Sequence, residues 1–315
     1  MSRRVGFRFR RRRHNSGRRF NFTLKGRQGK PYRIALYCVG GLLALIAAFT
    51  FLRPKNQLMN TAEMQRIVDR GVLVVGVRDD TPGFSLGGRG LEIELAEKFA
   101  EYLLPETESE SAAKLVVVSG QTAATKLQDG SIDAAIALMQ KGASSKYAYS
   151  YAYFTDVCIV AVLPGNENLP LDQITIGYVQ NTAGANVLES YIDEHETKVR
   201  RTLIDRIRGV TPELPADAIT YTKKAYASYP DLLTALREGR IEGAVLTGVY
   251  AKRYSGEYEF SVHNTELGKV EYAIASSADE PAIAQLADVF IYELEQSGEL
   301  DTLLKKYGLD GLNNP

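Results

Sequence analysis

The residue types that could do chemistry in this chain argue against catalysis. His14, His195 and His263 lie far apart in sequence, with no Cys, His or carboxylate at ligand spacing, which speaks against a structural zinc site. The body holds no Gly-x-Ser-x-Gly, no Ser-x-x-Lys and no phosphate-cradling Gly-rich loop, and no histidine stands near a nucleophile. The segment Gly26-Arg-Gln-Gly-Lys30 lacks the strand and helix that such a loop needs. Cys38 and Cys158 allow one disulfide at most, and each sits in an apolar run, so no bridge is expected. Glu92 and Glu94 read as a solvated pair on a helix surface. Neither a catalytic residue, a metal nor a cofactor is expected. What remains is binding chemistry. Tyr147, Tyr149, Tyr151 and Tyr153 alternate, and in an extended strand all four rings share one face. Such a wall suits stacking on a sugar or an apolar ligand.

These groups must be positioned by a chain whose charges are segregated. The 315 residues carry 38 Lys and Arg against 38 Asp and Glu, yet residues 1–55 hold 15 of the bases and no acid. The remaining residues therefore carry a strong negative excess, 23 basic against 38 acidic. An acidic body repels phosphate, which argues against nucleic acid as its partner. From Ile34 to Leu52 the chain runs nineteen residues without a charge. As a helix this covers about 28 Å, close to the hydrocarbon thickness of a bilayer. The bases before it place the N-terminus in the cytoplasm and the body outside. The run exceeds the apolar part of a cleaved leader and no small-x-small site precedes Arg53, so an uncleaved signal anchor is expected. Arg10–Arg13, with Phe7, Phe9, Phe20 and Phe22 nearby, reads as a basic segment resting on anionic lipid.

The body alternates strand, loop and helix. Val72–Val77 is an apolar β run, and the turn-rich loop Arg78–Ser85 follows it. Leu91, Leu95, Phe99 and Leu103 then recur every four residues, one apolar helix face with glutamates assigned to the other. Leu115–Val118 and Ala134–Leu138 read as buried parallel strands. A weak repeat links Leu127-Gln-Asp-Gly-Ser-Ile-Asp-Ala-Ala135 with Leu236-Arg-Glu-Gly-Arg-Ile-Glu-Gly-Ala244. Each reads as a helix end, a glycine C-cap and an apolar strand. Two copies of one αβ unit predict two α/β lobes with a cleft between them, where small ligands bind.

In that setting the body resembles the type 2 periplasmic solute-binding proteins, amino-acid-binding branch, which serve ABC importers. The resemblance is carried by Gly76–Phe84, Gly90–Leu95, Leu127–Leu138, Tyr229–Glu242 and the C-terminal stretch Tyr272–Tyr307, in that order. It implies a two-lobed α/β fold: lobe 1 from residues 62–157 and 270–315, lobe 2 from residues 158–269. Before them come a basic tail (1–33), the anchor (34–52) and a linker (53–61). It also implies crossings near Cys158–Leu163 and Lys269–Ile274, hinge closure around a small solute, and no catalysis. In that family a loop Arg grips the ligand α-carboxylate and a carboxylate receives the ammonium. Here the loop reads Met139-Gln140-Lys141 through Lys146-Tyr147 with no Arg, and the carboxylate position is Thr247. Lys141 or Lys146 is the substitute point charge. Asp80 and Phe84 match ligand-contacting positions, Met139 and Gln140 belong to the same loop, and Asn181 and Thr182 open a lobe-2 helix whose N-terminus suits an anion. By the same resemblance the tyrosine row covers the lobe edge beside the hinge. The expected function is a membrane-anchored, outward-facing binding protein for an amino acid or related small polar solute. Its expected partners are that solute, an ABC permease and the membrane. The alternative is a tethered sensing or partner-binding ectodomain.

Overall fold

The computed structural model describes residues 55–107, 112–198 and 214–313. The tail, the apolar run 34–52 and Cys38 lie outside them; among the described residues no helix is long and apolar enough to cross a membrane. The elements run α1 (Ala62–Arg70), β1 (Leu73–Val77), α2 (Leu91–Leu103), β2 (Ala113–Val117), α3 (Gly120–Gln128), β3 (Ala134–Gln140), β4 (Tyr147–Val162), β5 (Thr175–Val179) and α4 (Ala183–His195). They continue as β6 (Thr222–Tyr226), α5 (Tyr229–Arg237), β7 (Gly243–Thr247), α6 (Gly248–Tyr254), β8 (Ser261–Val262), β9 (Gly268–Ser277), α7 (Ala282–Ser297) and α8 (Glu299–Lys306).

The strands form one path, β2-β1-β3-β9-β4-β7-β5-β6, with β8 paired to β4 beside it. At one end β1 lies between β2 and β3, parallel to both. At the other, β5 lies in the same way between β6 and β7. These are two copies of one parallel three-stranded unit, and the internal sequence repeat falls at corresponding places in them. Leu127–Ala135 ends α3 and opens β3; Leu236–Ala244 ends α5 and opens β7. Gly130 and Gly239 take the left-handed conformation after each helix, at φ 72° and 68°, where a Cβ would be strained.

The units are joined by the antiparallel pair β4 and β9. Their ladder starts at Tyr147 with Ser277 and ends at Cys158 with Gly268. β9 leaves β3 at Tyr272, and β4 meets β7 from Cys158 onward. The handover on β4 thus falls at Thr155–Val157, just before the crossing expected at Cys158–Leu163. On β9 it covers Gly268–Glu271, partly overlapping the other expected crossing.

Register also corrects the tyrosine wall. The ladder slips between Tyr149 and Ala152 and again between Ala152 and Phe154, and such irregularities break the period of two. Tyr147 and Tyr149 meet edge-on with half-buried rings, Tyr151 is 57% exposed, and Tyr153 is buried in the core. The four rings do not form one surface.

α2 is set by its entry. The amides of Leu91 and Glu92 donate to the carbonyls of Gly83 and Phe84, at 2.9 Å each, so the β1 loop caps the helix. Gly90 makes this possible: its φ is 139°, and a Cβ there would stand 2.2 Å from the Phe84 carbonyl oxygen. Leu91, Leu95, Phe99 and Leu103 all face the core, and so does Glu92, which is 0% exposed. The solvated reading of Glu92 is therefore wrong: it heads the buried row Ala96, Phe99, Ala100 and Leu103, not the polar face. Glu94 does lie nearer the surface, accepting from the Tyr307 hydroxyl at 2.7 Å. Replacing Gly90 by Ala should lower the unfolding free energy by roughly 3 kcal/mol or more, since backbone strain and a backbone clash combine. Urea unfolding reads this out; a loss within about 0.5 kcal/mol, as for a neutral surface change, would contradict the capping role.

Candidate functional site

Parallel strands deliver side chains to their C-terminal ends, where ligand sites of α/β sheets gather. Here Arg78 directly follows β1. Its side chain is 20% exposed and reaches the Tyr250 hydroxyl on α6 of the other lobe, at 3.4 Å. The guanidinium's Nε and Nη2 donate to the two Asp80 carboxylate oxygens at 2.8 and 2.7 Å, the planar fork matched to one carboxylate. Burial is the largest single effect and opposes the Arg78 charge, but the hydrogen bonds to Asp80 together with the electrostatic influence of Tyr250, Asp80 and Glu92 outweigh it and hold its pKa above the ordinary value. Those same bonds hold the Asp80 carboxyl below its ordinary range. Asp80 keeps 62% of its side chain in solvent, so the pair is anchored on the arginine side.

Facing Arg78 across the junction, Tyr250 stacks on Tyr229 with ring centroids 4.1 Å apart. Tyr229 follows Ser228, the N-cap of α5, whose hydroxyl accepts from the Asp231 amide at 3.3 Å. The lobes meet at two further points. Asn186 on α4 donates to the Gln140 side-chain oxygen at 2.6 Å, and Lys252 on α6 donates to the Gly308 carbonyl at 2.5 Å.

Beneath this contact lies a buried polar floor. Asp156, on the handover stretch of β4, is 0% exposed and accepts from the Val249 amide at 3.2 Å. Burial pushes its carboxyl above the ordinary range. Its other oxygen, Oδ1, and the neighbouring Thr247 hydroxyl make no hydrogen bond of good geometry. Cys158 is a buried free thiol, pushed up to about 12 by burial and therefore not a nucleophile at neutral pH.

Of the residues expected from sequence, Asp80, Gln140 and Thr247 come to the lobe junction. Thr182 sits at the N-cap of α4, its hydroxyl accepting from the Ala185 amide at 3.2 Å, and Asn181 before it has φ 58°. Met139 is partly buried and packs, like Tyr147, against the cluster that holds Val118, Leu127 and Ile132. Lys141 pairs with Glu271 at 3.6 Å and lies 5.6 Å from the Tyr151 ring centroid. Lys146 is exposed. The charged side chain that β1 carries to Tyr250 of the other lobe is Arg78. Phe84 is fully buried, its ring edge-on to Phe154 at 4.9 Å. Arg78, Asn186, Tyr229, Tyr250, Asp156 and Glu92 were missed. The position of Arg78, the first residue after an apolar parallel strand, was the available signal.

Glu92 supports the site from behind. Its Oε1 accepts from the Tyr153 hydroxyl and the Leu138 amide, both at 2.6 Å, while Oε2 has no partner. Burial pushes the carboxyl up to about 7. An unfolded glutamate titrates near its ordinary 4.5, so below that pH the folded and unfolded chains are both protonated and nothing is lost. As pH rises from 4.5 through 7 the unfolded form ionises first, and stability falls by about 3 kcal/mol. Glu92→Gln should flatten the stability–pH curve across this window. Denaturant midpoints measured from pH 4.5 to 8 test it, and an unchanged slope in the variant would contradict a buried, perturbed Glu92.

Comparison with known proteins agrees with the geometry. Residues 73–310 match the family described as bacterial extracellular solute-binding proteins, family 3. Among solved structures, the amino acid ABC transporter substrate-binding protein AbpA from Streptococcus pneumoniae, bound to L-arginine, is 18% identical with a TM-score of 0.57; the match covers 79% of this chain and 100% of that one. A mutant of ArgBP from T. maritima is 20% identical with a TM-score of 0.56, over 78% of this chain and 98% of that one. The ancestral amino-acid-binding protein AncCDT-1, a precursor of cyclohexadienyl dehydratase, is 16% identical with a TM-score of 0.56, over 77% and 97%. At these identities the structures establish the shared two-lobed fold, and the family match covers most of the chain: the protein belongs to the bacterial extracellular solute-binding proteins, family 3.

Proposed function

We propose that this chain is a membrane-anchored, extracytoplasmic binding protein that delivers a small carboxylate-bearing solute, an amino acid or close relative, to an ABC permease. The observation that carries the solute class is Arg78. It is the charged side chain that bridges from β1 to the Tyr250 hydroxyl of the other lobe, and a guanidinium recognises a carboxylate bidentately. A solute contacting both Arg78 and Tyr250 would favour the closed arrangement by differential contact. One of the compared structures, AbpA, is bound to L-arginine. A second cation placed against Arg78 would be repelled, so the charge at this position favours an acidic or neutral amino acid over a basic one. The anchor rests on the uncharged run 34–52 and the bases before it.

The second reading, a tethered sensing or partner-binding ectodomain, draws on Asp80, which already fills one edge of the Arg78 fork. The two readings separate in a thermal-shift screen against acidic, neutral and basic amino acids, organic acids and sugars, followed by calorimetry of the hits. Arg78→Ala should weaken the best hit by about 1.5–3 kcal/mol, the worth of a charged hydrogen bond. Lys146→Ala should leave its affinity unchanged. Full affinity in the Arg78 variant would remove Arg78 as the recognition group, and silence from every class in a folded sample would favour the ectodomain.

A further inference from the structure

One buried acid has contacts that the proposed solute recognition does not use. Glu92 is wholly enclosed, and its Oε1 takes the Leu138 amide at 2.6 Å. Leu138 is held at φ 50°, a conformation in which a branched side chain is strained and which surrounding contacts must enforce. It lies where the β3–β9 register shifts, between Ala135 and Met139. Two residues on, Gln140 receives the Asn186 side-chain amide from α4 of the other lobe at 2.6 Å. A single short path therefore leads from a buried carboxylate through a strained irregularity in β3 to a contact between lobes.

We propose that ionised Glu92 is a positioning residue of the cleft: it holds the Leu138–Gln140 end of β3 and through it the Gln140–Asn186 bridge, so that protonating this carboxylate releases the contact between the lobes.

The chemistry sets the direction. A carboxylate accepts a stronger hydrogen bond from an amide than the carbonyl of a carboxylic acid does, and a proton taken up at Glu92 goes to Oε2, the oxygen without a partner. The strained end of β3 then loses part of what offsets its strain. The groups facing Glu92 are few and come from three elements. Tyr153 on β4 donates to it, Arg78 after β1 favours its charge, and Asp80 in the same loop opposes it. Tyr250 on α6 is the remaining titratable neighbour in electrostatic reach. Tyr153 and Tyr250 both titrate above the ordinary tyrosine value because they are buried, so neither changes charge near neutral pH. The burial that pushes Glu92 up to about 7 puts the release in the neutral range. The inference holds whichever solute the cleft takes, because every group in it belongs to this chain.

The test is a pH titration of the isotope-labelled full-length protein by nuclear magnetic resonance, from pH 5 to 9, without solute. The Leu138 backbone amide and the Asn186 side-chain amide should titrate together, with one midpoint near the about 7 of Glu92. In Glu92→Gln both titrations should vanish. In Tyr153→Phe, which removes a donor that favours the ionised form, the shared midpoint should move to higher pH. The Tyr153 variant also keeps the test open if Glu92→Gln fails to fold. A Leu138 amide that does not titrate, titration that survives Glu92→Gln, an unmoved midpoint in Tyr153→Phe, or an Asn186 signal that stays constant while Leu138 titrates would each overturn the proposal.

Discussion

Everything in this fold depends on the ladder between β4 and β9. It is the antiparallel seam that holds two parallel three-stranded units in one strand path, and its central residues belong to both. Pairing passes from lobe 1 to lobe 2 across Thr155–Val157 and Gly268–Glu271. Relative motion of the lobes has to be absorbed by this short stretch, since a packed core on either side does not deform continuously. The placement of Asp156 follows from the same constraint. Buried at the middle of the stretch and bonded to the Val249 amide, it ties the seam to the start of α6, the helix that carries Tyr250 to Arg78.

Two electrostatic scales operate in the molecule, and they have opposite signs. The body as a whole is acidic, yet the charged side chains that meet the opposite lobe, Arg78 and Lys252, are cations. Short-range terms decide what is held. At a few ångströms in a poorly solvated junction, one paired guanidinium outweighs a diffuse surface charge that salt screens beyond about 8–10 Å. Asp80 makes that burial tolerable, because a buried arginine without an anion would carry an uncompensated desolvation cost. Its own exposure means that water supports the pair from one side. The ion pair thus stabilises the site without closing the arginine off.

Much of the architecture was legible in the sequence because it rests on repeated local rules. The four-residue spacing of Leu91, Leu95, Phe99 and Leu103 gave α2, and the glycines after Leu127 and Leu236 gave two helix ends leading to two strands. The failures share one physical origin, namely long-range packing. Glu92 reads as solvated because a glutamate on a helix usually is; the Leu138 amide and the Tyr153 hydroxyl, 46 and 61 residues away, give it an interior to occupy, although Ala96 and Ala100 one and two turns on mark that face as closely packed. The tyrosine alternation implied one wall, but register slips on β4 act on pairing and leave no local signature. The pairing of Lys141 with Glu271 is equally illegible, since Glu271 lies on β9, a strand that the loop's own sequence does not reveal. Arg78 needed no such information, only attention to the end of the first strand.

The central claim is that the lobes bend on the β4–β9 seam to enclose a solute held at Arg78. Pulsed electron-resonance distances between spin labels at Gln128 in lobe 1 and Lys224 in lobe 2 measure it most directly. Solute at a few times the parent protein's Kd should shorten and narrow the distance distribution, and the Arg78→Ala protein at the same concentration should stay mostly in the unliganded distribution. A bound solute that leaves the distances of the parent protein unchanged would contradict the account.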